Sequence, residues 1–101
     1  EILDVPGIDA IIVGQFDLSG SLGILGQVYA PENMEQIRTV FRACHRRGIH
    51  CGISSEPKEE IVQMWADMGA DYVFLCHEYE WVRTASAAAL NTARQIRRKG
   101  V

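Results

Sequence analysis

Three places in the chain share one punctuation. Pro6-Gly7-Ile8-Asp9, Arg47-Gly48-Ile49-His50 and Met68-Gly69-Ala70-Asp71 each lead into a short apolar run. A glycine just after a helix is the usual left-handed C-terminal cap. The runs that follow are Ala10 to Val13, Ile49 to Ile53 and Tyr72 to Leu75. They are rich in β-branched or aromatic residues and do not alternate cleanly, as expected of strands buried on both faces.

Helical periods fill the gaps. Met34, Ile37, Val40, Phe41 and Cys44 mark one face of a helix opening after Pro31, a residue favoured in the first turn. Ile61, Val62, Trp65 and Met68 mark a second, opening near Pro57. Trp81, Val82, Ala85, Ala88, Ala89, Ala93 and Ile96 mark a third. Glu1 to Val5 reads as the tail of a helix. The order β-α-β-α-β-α makes this an α/β fold with parallel strands and crossover helices.

Three parallel strands alone leave two apolar edges and one uncovered face. A full eight-fold β/α barrel takes about 250 residues, or about 30 per unit. The 101 residues here hold three such units. The expectation is therefore one partial barrel over residues 1–101. It is a piece of a larger barrel, or it completes its core with another chain.

Composition narrows the functional classes. Apolar residues make up 48%, an ordinary globular value. Ten basic residues against thirteen acidic ones leave a net charge of −3, so no general basic field exists to attract nucleic acid. The cluster Arg94, Arg97, Arg98 and Lys99 is expected in the last turns of the C-terminal helix, where cations complement the helix dipole. No run approaches the ~18 continuous apolar residues of a membrane span. The opening Glu1-Ile2-Leu3-Asp4 carries neither the basic nor the apolar region of a signal peptide. Cys44, Cys51 and Cys76 form no CxxC and no zinc spacing. They are expected as small buried thiols of a reducing, cytoplasmic setting.

Chemistry concentrates after the first strand. Val13 runs into Gly14, and Asp17 follows in the Gly- and Ser-rich stretch Gly14-Gln15-Phe16-Asp17-Leu18-Ser19-Gly20-Ser21. A carboxylate just past the C-terminal end of a parallel strand is where α/β proteins place reactive groups. Asp17 is so placed to meet a ligand, and it could also simply cap a loop or helix start. The N–H groups of Phe16 and Asp17 can donate to an anion. Gly14, Gly20, Gly23 and Gly26 form neither GxGxxG nor a Walker pattern, so they are expected to shape a loop rather than cradle phosphate. Gly23 to Tyr29 is expected to be an extended segment. Ser19 and Ser21 are expected as turn and cap formers, since no Gly-x-Ser-x-Gly elbow is present.

Leu3-Asp4-Val5-Pro6-Gly7-Ile8-Asp9-Ala10, Val13-Gly14-Gln15-Phe16-Asp17-Leu18-Ser19, Leu22-Gly23 and Gly26-Gln27 together resemble the HpcH/HpaI aldolase family. The resemblance continues through Pro31-Glu32, Gly48, Gly52-Ile53 and Met68-Gly69-Ala70. It implies the last three β/α units of a TIM barrel. It also implies class II aldolase chemistry, in which a 4-hydroxy-2-oxo acid is cleaved to pyruvate and an aldehyde. Gln15 stands where the family commonly has proline. By position Asp17 becomes one of two carboxylates on a divalent metal, Mg²⁺, Mn²⁺ or Co²⁺. The second carboxylate, the base and an arginine belong to upstream strands. A chain of 101 residues alone would then hold half a site and is not expected to catalyse.

The resemblance further implies a substrate site of Gly14, Gln15, Phe16, Asp17 and Ser54, with main chain contributing at the first two strand ends. Ser54 replaces a usually apolar residue and points to an altered acceptor pocket. Partners would be a small 2-oxo acid and further copies of the chain, with the last helix packing between neighbouring barrels through Trp81 and Ala85 to Ala89. Two other outcomes stay open. One is a non-catalytic half-barrel that folds by self-association; the other is a citrate-lyase-like enzyme, although no residue marks a CoA site.

Cys76-His77-Glu78 looks like a nucleophile beside a base, but neighbouring strand residues point to opposite faces. In the family a glycine and an acid stand near Cys76 and Glu78. His77 is expected at the pocket rim as a polar contact. His45, beside Arg46 and Arg47, is expected to be solvated, and Trp65 and Trp81 to be packing residues.

Overall fold

The computed structural model describes residues 1–97 and residue 100. After a 3₁₀ turn at Ile2–Asp4 come β1 (Ala10–Val13), α1 (Gln15–Ser21), α2 (Pro31–His45), β2 (His50–Ser55), α3 (Glu59–Met68), β3 (Tyr72–Leu75) and α4 (Glu78–Gln95). The strands form one parallel sheet in the order β1-β2-β3. This is the α/β, partial-barrel arrangement that the alternation demands.

The strands sit where the glycine punctuation places them. Gly48 and Gly69 adopt left-handed backbone, at φ +68° and +104°. At Gly69 the chain turns out of α3 with the Ala70 N–H donating to the Trp65 carbonyl (3.0 Å). β2 runs two residues further than its apolar run, because Ser54 and Ser55 pair with Phe74 and Leu75.

The sheet has a covered and an open face. Cys51 and Ile53 of β2 pack with Ile37, Phe41 and Cys44 of α2 and Trp65 of α3, and all six are fully buried. Ile11, Val13 and Val73 join this layer from the flanking strands. The opposite face carries Ile12 and Phe74, each about half exposed (53% and 48%). Tyr72 lies across that face, and its hydroxyl donates to the Ile11 carbonyl (2.5 Å), bridging β3 to β1 over β2. Gly52 makes this possible, since a Cβ there would overlap the Tyr72 ring.

Several expectations are corrected. The stretch around Asp17 is the helix α1, not a loop. Gly14 is its N-cap, Asp17 favours the positive end of the helix, and Leu18 packs against the core. Gly23 to Tyr29 is a chain of tight turns rather than an extended segment. Ile24 N–H donates to Ser19 O (2.9 Å), Gln27 to Ile24 (2.9 Å) and Ala30 to Gln27 (3.0 Å). Residues 1–5 hold only a single 3₁₀ turn, anchored where the Arg47 guanidinium meets Asp4 (2.8 and 3.0 Å).

The last helix also departs from expectation. α4 begins at Glu78, three residues early, because Glu80 accepts the His77 N–H (3.1 Å) at its start. It buries no residue. Trp81 is 49% exposed rather than packed, since α4 leaves the body of the fold and, among the described residues, packs along no other element. Arg94 lies in the last turn and Arg97 beyond it, while Arg98 and Lys99 fall outside the described residues.

Gly52→Ala is expected to destabilise the protein by about 1–3 kcal/mol through overpacking. The same change made on top of Tyr72→Ala should cost clearly less, because the two positions share one contact. Equal costs in chemical denaturation of the two backgrounds would show that the Tyr72 bridge does not exclude a side chain at Gly52.

Candidate functional site at the C-terminal ends of the strands

A cleft of about 800 Å³ opens where the three strands end. Gly14, Gln15, Phe16, Asp17 and Ser54, the five residues singled out above, all line it. Parallel strands deliver them to one place, because β1 and β2 terminate at the same end of the sheet.

Asp17 stands in the first turn of α1. The N-cap is Gly14, so Asp17 is not the capping residue. Its carboxylate folds back toward the strand end, and a Cβ at Gly14 would come within 3.0 Å of Oδ2. Among the described residues no ion pair engages that carboxylate. The other acids nearby differ. Glu56 is held below the usual carboxylate range by Lys58 (2.6 Å) and by the Tyr29 hydroxyl (3.1 Å). Glu80 accepts the His77 N–H.

Gln15 is nearly buried. Its Nε2 donates to the Ser54 carbonyl (2.8 Å), and the Ser54 hydroxyl reaches its Oε1 (3.5 Å). A proline at this position could make neither bond. Gln15 therefore locks the start of α1 onto the end of β2. Asn33, fully buried at the start of α2, extends the lock by donating to the carbonyls of Gln15 (3.2 Å) and Val28 (2.9 Å). Ser19 is also fully buried. It donates to Phe16 O (2.6 Å) and accepts from Gly26 N–H (2.9 Å), the turn-forming role expected of it.

Cys76 and His77 close the cleft on the β3 side. Cys76 has φ +53°, the one non-glycine residue in left-handed backbone among those described. Its thiol is pushed up by burial and by Glu80, which disfavours the thiolate a nucleophile needs. The ring of His77 stacks on Tyr79 (5.4 Å) and leans on Phe74 (5.5 Å), so the two residues do not form a nucleophile–base pair.

A second polar cluster was not foreseen. His45, Cys51 and Asp71 converge at the opposite, N-terminal end of the sheet. His45 is not merely solvated, because Asp71 faces it. In the sequence only Asp71 is marked, standing two residues after the glycine that precedes β3.

Comparison with known proteins agrees with this architecture. No family model matches the chain. It is 34% identical over 94 residues to the hydroxypyruvate/pyruvate aldolase of Delftia acidovorans, covering 93% of this chain and 35% of that one. It superposes on the crystal structure of an HpcH/HpaI aldolase from Desulfitobacterium hafniense with a TM-score of 0.81 at 32% identity, covering 95% of this chain and 37% of the other. An HpcH/HpaI aldolase/citrate lyase family protein from Burkholderia cenocepacia gives a TM-score of 0.83 at 26% identity, covering 93% and 36%. Fold and cleft define a partial β/α barrel with a cleft at the strand C-termini. The chain belongs to the HpcH/HpaI aldolase family. It spans about a third of the length of the curated relatives it matches.

Cys76→Gly is expected to preserve the fold and to leave stability unchanged or raised by up to about 1 kcal/mol. Relief of left-handed strain, roughly 1–2 kcal/mol, is offset in part by the greater entropy of glycine in the unfolded chain. Thermal unfolding reads the difference, and a clear loss of stability would mean that the thiol contact to the Ser55 carbonyl matters more than the strain.

Proposed function

We propose that this chain forms the metal-ligand and oxo-acid end of a class II carbon–carbon lyase that cleaves a 4-hydroxy-2-oxo acid to pyruvate and an aldehyde. The observation that carries it is the Asp17 carboxylate, free of any ion pair among the described residues, at the mouth of a parallel strand. Relatives named as hydroxypyruvate/pyruvate aldolases share this segment.

The residues fit a hard divalent cation in part. Asp17 offers one anionic oxygen, the donor type that Mg²⁺ and Mn²⁺ prefer. Gly14 leaves room for that oxygen beside the strand end. A second carboxylate must come from a strand outside these residues. When bound, the metal supplies Lewis acidity for the negative charge that bond cleavage next to a ketone creates.

The chain's own groups supply orientation. The N–H groups of Phe16 and Asp17 lie in the first turn of α1, where intrahelical acceptors are lacking, and are available to the substrate carboxylate. Main chain at Ser54 adds to this wall. Gln15 holds the two walls in register through its bonds to Ser54 and acts as a positioning residue. His77 and Cys76 bound the acceptor side of the cleft.

The open sheet face and the bare α4 favour assembly. In the working protein they are covered by the remaining barrel units and by a neighbouring subunit. The protein carrying this chain is expected to elute from size exclusion above its monomer mass.

Asp17→Ala in the complete protein is expected to abolish Mg²⁺- or Mn²⁺-dependent cleavage while the far-ultraviolet circular dichroism stays native. Pyruvate release is the measurement. Retained metal-dependent turnover would sink the assignment of Asp17.

A further inference from the structure

The geometry points to a second metal site at the other end of the sheet: His45 Nε2, Cys51 Sγ and Asp71 Oδ2 bind one zinc-type divalent cation. It stands apart from the proposed lyase chemistry, because all three ligands lie in this chain and away from Asp17.

The three groups come from three elements. His45 ends α2, Cys51 is the second residue of β2, and Asp71 immediately precedes β3. Their ligand atoms already form a small triangle. His45 Nε2 is 3.2 Å from Asp71 Oδ2, Cys51 Sγ is 3.5 Å from His45 Nε2, and Cys51 Sγ is 3.6 Å from Asp71 Oδ2. Tetrahedral zinc, with bonds of roughly 2.0–2.3 Å, sets ligand-to-ligand edges of about 3.3–3.6 Å. The edges of the triangle therefore match those of one face of that tetrahedron.

Each ligand is held from behind. The Cys51 N–H donates to Asp71 Oδ2 (2.8 Å), which fixes the carboxylate against β2. Cys51 lies in the central strand with its Cα paired to Ile11, and its side chain is fully buried. The His45 ring lies against Gly69, where a Cβ would come within 3.0 Å of its Cε1. The absence of a side chain at Gly69 thus seats the imidazole. Such supporting contacts are what orient metal ligands.

The site is closed on one side and open on the other. The Cys51 thiol faces the core, while the side chains of His45 and Asp71 are 45% and 33% exposed. An ion can enter from that side. His50 Nδ1 waits there, 3.7 Å from the same Asp71 oxygen, and water or His50 completes the fourth position.

The donor set is sulfur, nitrogen and oxygen. It suits Zn²⁺ or Co²⁺ and not the all-oxygen preference of Mg²⁺. Burial and the neighbouring Asp71 and Cys44 push the Cys51 thiol up to about 12. On binding, the S–H bond breaks, the proton leaves to solvent and the sulfur–metal bond forms, as coordination does to thiols generally. The other groups facing the cluster are Cys44, itself pushed up by burial, and Arg47, whose guanidinium is engaged by Asp4. Bound metal would clasp the end of α2 to the starts of β2 and β3.

The test uses the full protein, stripped with a chelator and titrated with Co²⁺. One equivalent should give a thiolate-to-cobalt charge-transfer band and the visible bands of a tetrahedral ion. Zn²⁺ should bleach both and raise the unfolding temperature. Cys51→Ser should abolish the charge-transfer band. His45→Gln, at an exposed position, should keep the fold and weaken Co²⁺ binding at least ~10-fold. Asp17→Ala should leave the band intact, which separates this site from the hard-cation site. Absence of a charge-transfer band in the unaltered protein would overturn the proposal. So would a band that survives Cys51→Ser, or Co²⁺ binding untouched by His45→Gln.

Discussion

β2 is the strand on which everything else hangs. It alone in this sheet is hydrogen-bonded on both edges, so every residue in it has a fixed height, face and register. The odd residues, Cys51, Ile53 and Ser55, point toward the helices and are buried. The even residues face the barrel interior, and there Gly52 gives way to Tyr72 while Ser54 reaches the cleft. One strand thus carries the core in its middle, one polar cluster at its start and another at its end. A shift of one residue would exchange the core face for the open face and dismantle both clusters together.

Much of the fold was legible because buried parallel strands have few alternatives. Ala10 to Val13 and Tyr72 to Leu75 are short apolar runs after a glycine, and the structure places β1 and β3 at those bounds. The helices were legible from periodicity, and Pro31 opens α2 as proline at a first turn should. What was not legible has a common cause. α1 contains Ser19, Gly20 and Ser21, poor helix formers, and is held by the packing of Leu18 on the core and the local bonds of Ser19 to Phe16 and Gly26, not by propensity. Composition alone reads it as a loop. The turns at Gly23 to Ala30 depend on backbone bonds that no side-chain pattern announces.

The two polar clusters differ in how they could be seen. Asp17 is visible because one residue at a strand end carries the signal, and a family motif surrounds it. His45, Cys51 and Asp71 are spread over three segments. No fixed spacing unites them, since their convergence depends on the parallel register of β2 and β3. A search for cysteine pairs passes over a site whose single sulfur is joined by an imidazole and a carboxylate. Trp81 fails in the opposite sense. Its helical period is sound and α4 forms, yet periodicity marks only which face is apolar, not what covers it.

The division of donors between the two ends of the sheet follows from burial. At the C-terminal end the cleft is open to water, so a hard cation held by Asp17, as proposed above, would keep part of its hydration. At the N-terminal end the Cys51 sulfur lies in an apolar layer beside Cys44 and Ile49. There a hard ion would recover only one protein oxygen, from Asp71, beside a sulfur and a nitrogen it binds poorly. A softer ion recovers its coordination from sulfur and nitrogen instead. The two proposed sites would therefore favour different cations. The selection rests on which face of β2 a side chain occupies and how far along the strand it lies.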